Sequence, residues 1–157
     1  MADAKQLKNA ESVYKTLCEM LDEHKWRYDR HDKDLCITFT ATGEDIPRNF
    51  VVAIDPERDL VRLISPMPFR FSESKRIEGA IATCQVNYKL ADGSFDYSFS
   101  EGRINFRMTS SYKDSLISKE LFAYMIGCAG YTVDAYNDKF LMIDKGLIAI
   151  EDFVKSL

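Results

Sequence analysis

The sequence is poor in the residues that would mark a stapled domain, a membrane protein or a common catalytic motif. Cysteine occurs four times, at Cys18, Cys36, Cys84 and Cys128. No two form a C-x-x-C pair and each lies among apolar residues, which reads as buried free thiols rather than a disulfide frame. The only histidines are His24 and His31, outside any H-x-x-x-H or H-E-x-x-H pattern, so a zinc site would have to be gathered from scattered positions. There is no G-x-S-x-G elbow, no G-x-G-x-x-G and no Walker lysine, while Gly127 and Gly130 fall inside a helical pattern. Asp29, Asp32 and Asp34 lack the glycine and closing glutamate of an EF-hand loop and read as a solvated turn. Carboxylate pairs such as Asp22/Glu23 and Glu44/Asp45 read as exposed charges at a helix end and in a loop. No metal, cofactor or catalytic residue is expected from these patterns.

Positive charge is also scarce. Lys and Arg total 21 against 25 Asp and Glu, a net charge of -4, the wrong sign for a general phosphate-backbone binder. Arg103 and Arg107 do alternate with Tyr97, Phe99 and Phe106, but these aromatics fit the core-facing side of a strand pair better than a base-stacking sheet. No nucleic-acid partner is expected. No segment reaches the roughly 20 apolar residues of a membrane span. Met1-Ala2-Asp3-Ala4-Lys5 runs directly into a charged amphipathic pattern without an apolar signal core. A soluble, cytoplasmic protein with no membrane partner is the expectation. Seven Gly and four Pro argue against a fibrous or disordered chain.

What is present is a periodic pattern across 157 residues, enough for one domain over 1–157 with a self-sufficient core. From Lys5 to Glu23, Leu7, Ala10, Tyr14, Leu17 and Leu21 recur at helical spacing. Trp26 and Tyr28 alternate with polar neighbours as a short strand. Leu35, Ile37 and Phe39 alternate as a half-buried strand. Phe50–Ile54 and Leu60–Ile64 flank Asp55-Pro56-Glu57-Arg58-Asp59, where proline suits a type I turn, giving a clear hairpin. In Ser65-Pro66-Met67-Pro68-Phe69 two prolines remove two ladder donors, so the sheet is expected to end there.

A second helix follows, with Ser72 as a candidate cap and Ile77, Ala80, Ile81, Cys84 and Tyr88 as its apolar stripe. Phe95, Tyr97 and Phe99, then Ile104, Phe106 and Met108, make a second hairpin around Glu101-Gly102. Ser115 or Ser118 caps a long third helix carrying Phe122, Ile126, Ala129, Val133, Tyr136, Phe140 and Ile143. Leu121 to Val133 carries no charge, so this helix is expected to pack on the sheet with one face and on the first or last helix with the other. Gly146 stops it before a short terminal helix. The order, N-terminal helix, antiparallel β-meander, helix, β-hairpin and long C-terminal helix, is that of a single α+β domain.

Two surfaces carry more apolar area than this layout needs. On a helical wheel, Gly79, Ala82, Thr83 and Val86 lie opposite the Ile77 stripe, so the second helix is uncharged on both sides. A glycine inside a helix costs about 1 kcal/mol relative to alanine, and Gly79 therefore points to close approach by another element of the chain or by a second subunit. Met67, Phe69 and Phe71 form the other cluster: exposed, it is a patch for a partner; folded inward, it anchors a connection.

The helix ending in Asn87, then Gly93-Ser94-Phe95, then Gly102-Arg103-Ile104-Asn105-Phe106-Arg107 and the long helix, over residues 5–150, resemble the YbjN family of bacterial sensory-transduction regulators. That family shares its fold with type III secretion chaperones. The resemblance implies a small acidic cytoplasmic protein that acts without a cofactor, by binding a protein client or regulatory partner, as a homodimer. It places pairing on Ser72–Leu90, hence on Gly79, Ala82, Thr83 and Val86, and leaves Met67, Phe69 and Phe71 as candidate partner-binding residues. The alternative is a small-ligand receptor or enzyme with a site between the sheet and the third helix.

Overall fold

A computed structural model describes residues 1–157. Helix α1 spans Ala4–Glu23 and is entered through a capping box in which the Asp3 carboxylate accepts the Gln6 N–H and Gln6 bonds back to the Asp3 N–H. Its inner stripe is Ala10, Val13, Tyr14, Leu17, Cys18, Met20 and Leu21; Leu7 stays outside.

Strands β1 (Asp29–His31), β2 (Cys36–Ala41), β3 (Arg48–Asp55) and β4 (Leu60–Arg70) form an antiparallel meander. Helix α2 (Arg76–Lys89) then leads to β5 (Ser94–Ser98) and β6 (Arg103–Ser111), followed by α3 (Lys119–Asp144) and α4 (Ile150–Ser156). The six strands make one sheet in the order β1-β2-β3-β4-β6-β5, so the hairpin that follows α2 returns with its second strand against β4. Both expected hairpins form, with Asp55 opposite Leu60 and Ser98 opposite Arg103. Gly102 takes the left-handed conformation, at φ +67°, that the second turn requires. Ser118, of the two candidate caps, accepts the Leu121 N–H at the start of α3.

Strand alternation sends one set of side chains under the helices. Ile37, Phe39, Phe50, Val52, Ile54, Val61, Leu63, Ile104, Phe106 and Met108 join the inner faces of α1 and α3 in one contiguous core of 32 buried residues. The N-terminal half of α3 meets α1, while its C-terminal half meets α4 through Phe140 and Phe153. The other sheet face, with Val51 opposite Ile64 and Ala53 opposite Arg62, is half-buried.

Three local expectations are corrected. Trp26–Tyr28 is not a strand, because α1 closes there with Lys25 in the left-handed region and with N–H bonds from Lys25 to Asp22 O and from Trp26 to Leu21 O. That is a Schellman closure, and Trp26 turns its ring edge-on to Phe39 at 5.1 Å. The ladder also runs on through the two prolines. Pairing with β3 stops at Ile64, so Ser65–Arg70 has only β6 beside it, with a register shift between Pro66 and Arg70; edges and bulges are where proline is tolerated. Finally, the thiols are not uniformly buried: Cys18 is inside, Cys36 and Cys128 are half-buried and Cys84 is exposed.

Candidate protein-interaction surfaces

Helix α2 sits over β5 with its small-residue side inward, so Gly79 is approached by another element of the same chain. Gly79, Ala82, Thr83 and Val86, the residues placed on a pairing surface, are its buried positions, with Ala82 and Val86 at 0 % exposure in the single chain. Ile77, Ile81 and Tyr88, of the opposite apolar stripe, are exposed at 64 %, 40 % and 85 %, and Cys84 lies outward with them. A residue sealed within its own chain offers nothing to a second subunit, so the four small residues are core contacts rather than an interface.

Contact distance explains the orientation. A Cβ at Gly79 would meet the Phe71 ring at 2.8 Å and the Tyr97 hydroxyl oxygen at 2.7 Å, so the helix can approach the sheet this closely only along its small-residue side. The polar groups on that side are satisfied locally. Thr83 Oγ1 donates to Gly79 O at 2.9 Å, and Tyr97 Oη donates to Arg76 O at 3.0 Å. Asn87 clamps the β5 backbone, donating to Phe95 O at 3.0 Å and accepting the Phe95 N–H at 2.7 Å.

The Met67, Phe69 and Phe71 cluster divides. Met67 and Phe71 point into the core and Phe69 is half-buried. Phe71 packs its ring against Tyr97 and Phe140, and its N–H donates to Gly102 O at 2.8 Å. The segment ties β4 to the β5–β6 turn, the anchoring alternative, and leaves Phe69 as its accessible member.

Hydrogen bonding and burial fix the protonation of Asp32, Tyr14 and Cys18 in the largest polar hollow. Tyr14 Oη donates to Asp32 at 2.8 Å and Arg30 Nε donates to the same carboxylate oxygen at 2.9 Å. Those two bonds, Tyr14 first, hold Asp32 below its ordinary range, while burial pushes the Tyr14 phenol and the Cys18 thiol up. At neutral pH the carboxylate is charged and the other two are protonated, whereas acid–base catalysis favours a group near the working pH. Between the sheet and α3, the alternative ligand site, Leu63, Phe106, Phe122, Ala129 and Val133 belong to the core, and a hollow of about 120 Å³ remains among Ala41, Arg48, Phe50, Ile126, Gly127 and Gly130.

The model of the YbjN family, described as "Putative bacterial sensory transduction regulator", matches residues 14–142. The chain belongs to the YbjN family. No curated protein matches it significantly. Among solved structures, the crystal structure of the ExsC-ExsE complex is similar at a TM-score of 0.59 and 11 % identity, over 82 % of this chain and 93 % of that one. The crystal structure of YbjN from E. coli is similar at a TM-score of 0.56 and 11 % identity, over 78 % and 86 %. At this identity the likeness is one of fold, an α+β fold of helices on one antiparallel sheet. No helix is long and apolar enough to cross a membrane.

Within this YbjN-family fold, the outward stripe of α2 is a set of exposed apolar side chains. Its signal was present: a stripe of large apolar residues beside a stripe of small ones, with the small stripe containing glycine. Close helix–sheet packing selects the small stripe, and the large residues are what remains outside.

Proposed function

We propose that this YbjN-family chain is a non-enzymatic regulatory or chaperone-like module that binds a protein partner and works as a homodimer. The observation that carries it is the uncovered stripe of Ile77, Ile81, Cys84 and Tyr88 on α2. A contiguous exposed apolar stripe is the usual mark of a protein–protein surface, and α2 runs its length without needing these side chains for its own packing. The fold neighbour crystallised as the ExsC-ExsE complex supports a protein partner in place of a substrate.

Light scattering at micromolar concentration tests the pairing. The parent chain should run at twice its 18.0 kDa mass, and Ile81→Asp should run at the single-chain mass with an unchanged circular dichroism spectrum, because position 81 is outside the core. A monomeric parent, or an Ile81→Asp variant that stays dimeric, overturns pairing through α2. Capture of partners from lysate of the source cell, identified by mass spectrometry, tests the wider role; recovery of the chain alone overturns it.

A further inference from the structure

A row of three hollows follows α3. The first, about 160 Å³, lies between the end of α1 and α3 and is lined by Met20, Leu21, Trp26, Ala123 and Ile126, with Gly127 at its rim. The second, about 120 Å³, shares Trp26, Ile126 and Gly127 with the first and adds Ala41, Phe50 and Gly130, with Arg48 and Tyr131 also in its wall. The third shares Tyr131 with the second and is bounded by Glu44, Asp45, Asp134, Asp138 and Lys139. Helix α3 is bare here, for a Cβ at Gly127 would meet nothing within 4 Å.

Charge at the far end is not balanced within the chain. Arg48 is occupied with the carbonyls of Gly130 and Thr42 and lies 3.8 Å from Asp134. Lys139 is held on the Ala135 carbonyl, 3.8 Å from Asp138. Glu44 and Asp45 are left with no ion pair. The surface thus offers two apolar seats, divided by an indole, and then an acidic mouth.

Resting on the protein-binding reading above, we infer that this trough is the docking site for a partner polypeptide segment carrying two large apolar side chains with Lys or Arg at one end. Each apolar seat is near the size of a 150 Å³ cavity known to hold a benzene ring, so each takes one side chain. Both fall well short of the roughly 300–1,000 Å³ that encloses a small-molecule ligand. Fixed carboxylates beside the apolar seats favour a basic partner and set its direction along the trough. Trp26 and Tyr131, exposed at the dividers, are of the residue types that anchor interfaces.

The chain has a single tryptophan, so the trough carries its own reporter. Random dodecapeptides displayed on phage would be selected on the immobilised full-length protein, and the enriched sequences synthesised and titrated against Trp26 emission. Enriched peptides should combine two large apolar residues with neighbouring Lys or Arg and should shift the emission. Gly127→Leu, which fills both apolar seats from an open position, should weaken them at least about tenfold, the equivalent of one lost buried side chain. Glu44→Gln with Asp45→Asn should weaken them too and remove most of their salt dependence. Peptides that bind Gly127→Leu as they bind the parent, or that leave Trp26 silent, overturn the trough while leaving a protein-binding role in place. Enrichment of sequences without basic residues overturns the charge assignment. No enrichment above a blank surface overturns the linear-segment site, and pairing through α2 is decided separately by the mass of Ile81→Asp.

Discussion

Two glycines inside helices provide the sharpest test of which way α2 faces. In a helix interior, glycine-to-alanine replacement gains about 0.5–1 kcal/mol from backbone entropy and propensity. At Gly127 nothing opposes that gain, since the added methyl meets no atom within 4 Å. At Gly79 the same methyl comes within 2.7–2.9 Å of the Tyr97 hydroxyl and the Phe71 ring. Both neighbours are pinned: Tyr97 Oη is bonded to Arg76 O, and Phe71 is wedged against Phe140. Overpacking of this kind costs about 1–3 kcal/mol, so Gly79→Ala should lose about 1 kcal/mol net while Gly127→Ala gains up to about 1. The two variants should therefore melt about 4–8 °C apart in a chain of this size. Urea unfolding followed by far-ultraviolet circular dichroism at one protein concentration gives the free energies directly, with equal m-values showing that the folded and unfolded ensembles are unchanged. If Gly79→Ala is as stable as Gly127→Ala, the small-residue face of α2 does not lie on Phe71 and Tyr97, and the outward stripe loses its basis.

Other consequences follow from the same packing. Val86→Asp places an unpaired charge inside the chain, a loss of several kcal/mol, so it should cost cooperative unfolding and soluble yield instead of releasing folded monomers; a folded monomer would return Val86 to an interface. Asn87→Ala leaves the Phe95 N–H and C=O without their side-chain partner and should cost about 1–3 kcal/mol by chemical denaturation, with faster amide exchange at Phe95. Asp32 has its folded-state pKa depressed, so its contribution is present above the unfolded carboxylate value and is lost as pH falls through the folded one. The stability gap between the parent and Asp32→Asn should therefore be full at neutral pH and close below about pH 4; a gap that stays constant with pH would refute the Tyr14–Asp32–Arg30 bonding.

Much of the architecture was legible along the chain because its signals are local. The β3–β4 hairpin is written in two β-branched runs around Asp55-Pro56, and the β5–β6 hairpin in aromatic alternation around Gly102. The long period from Phe122 to Ile143, after Ser118, fixes the inner face of α3 through neighbours on the same helix. The Trp26–Tyr28 segment misled because a Schellman closure puts an apolar residue after a polar one, imitating a period of two over too few residues. The prolines misled because their cost depends on whether a second strand lies alongside, and β3 has diverged by that point.

The interaction surfaces were less legible than the elements that bear them. Sequence alone identified α2 as apolar on both sides and marked Gly79 as a point of close approach, since both follow from composition at helical spacing. Only the tertiary structure decided which side is inside, because that depends on how near Phe71 and Tyr97 let the helix come, and those residues arrive from β4 and β5. The trough along α3 was invisible in sequence for the same reason. Its seats join the end of α1, a closing loop, Phe50 of β3 and the middle of α3, and its acidic mouth joins Glu44 and Asp45 to Asp134 and Asp138, about ninety residues away and brought together only by packing.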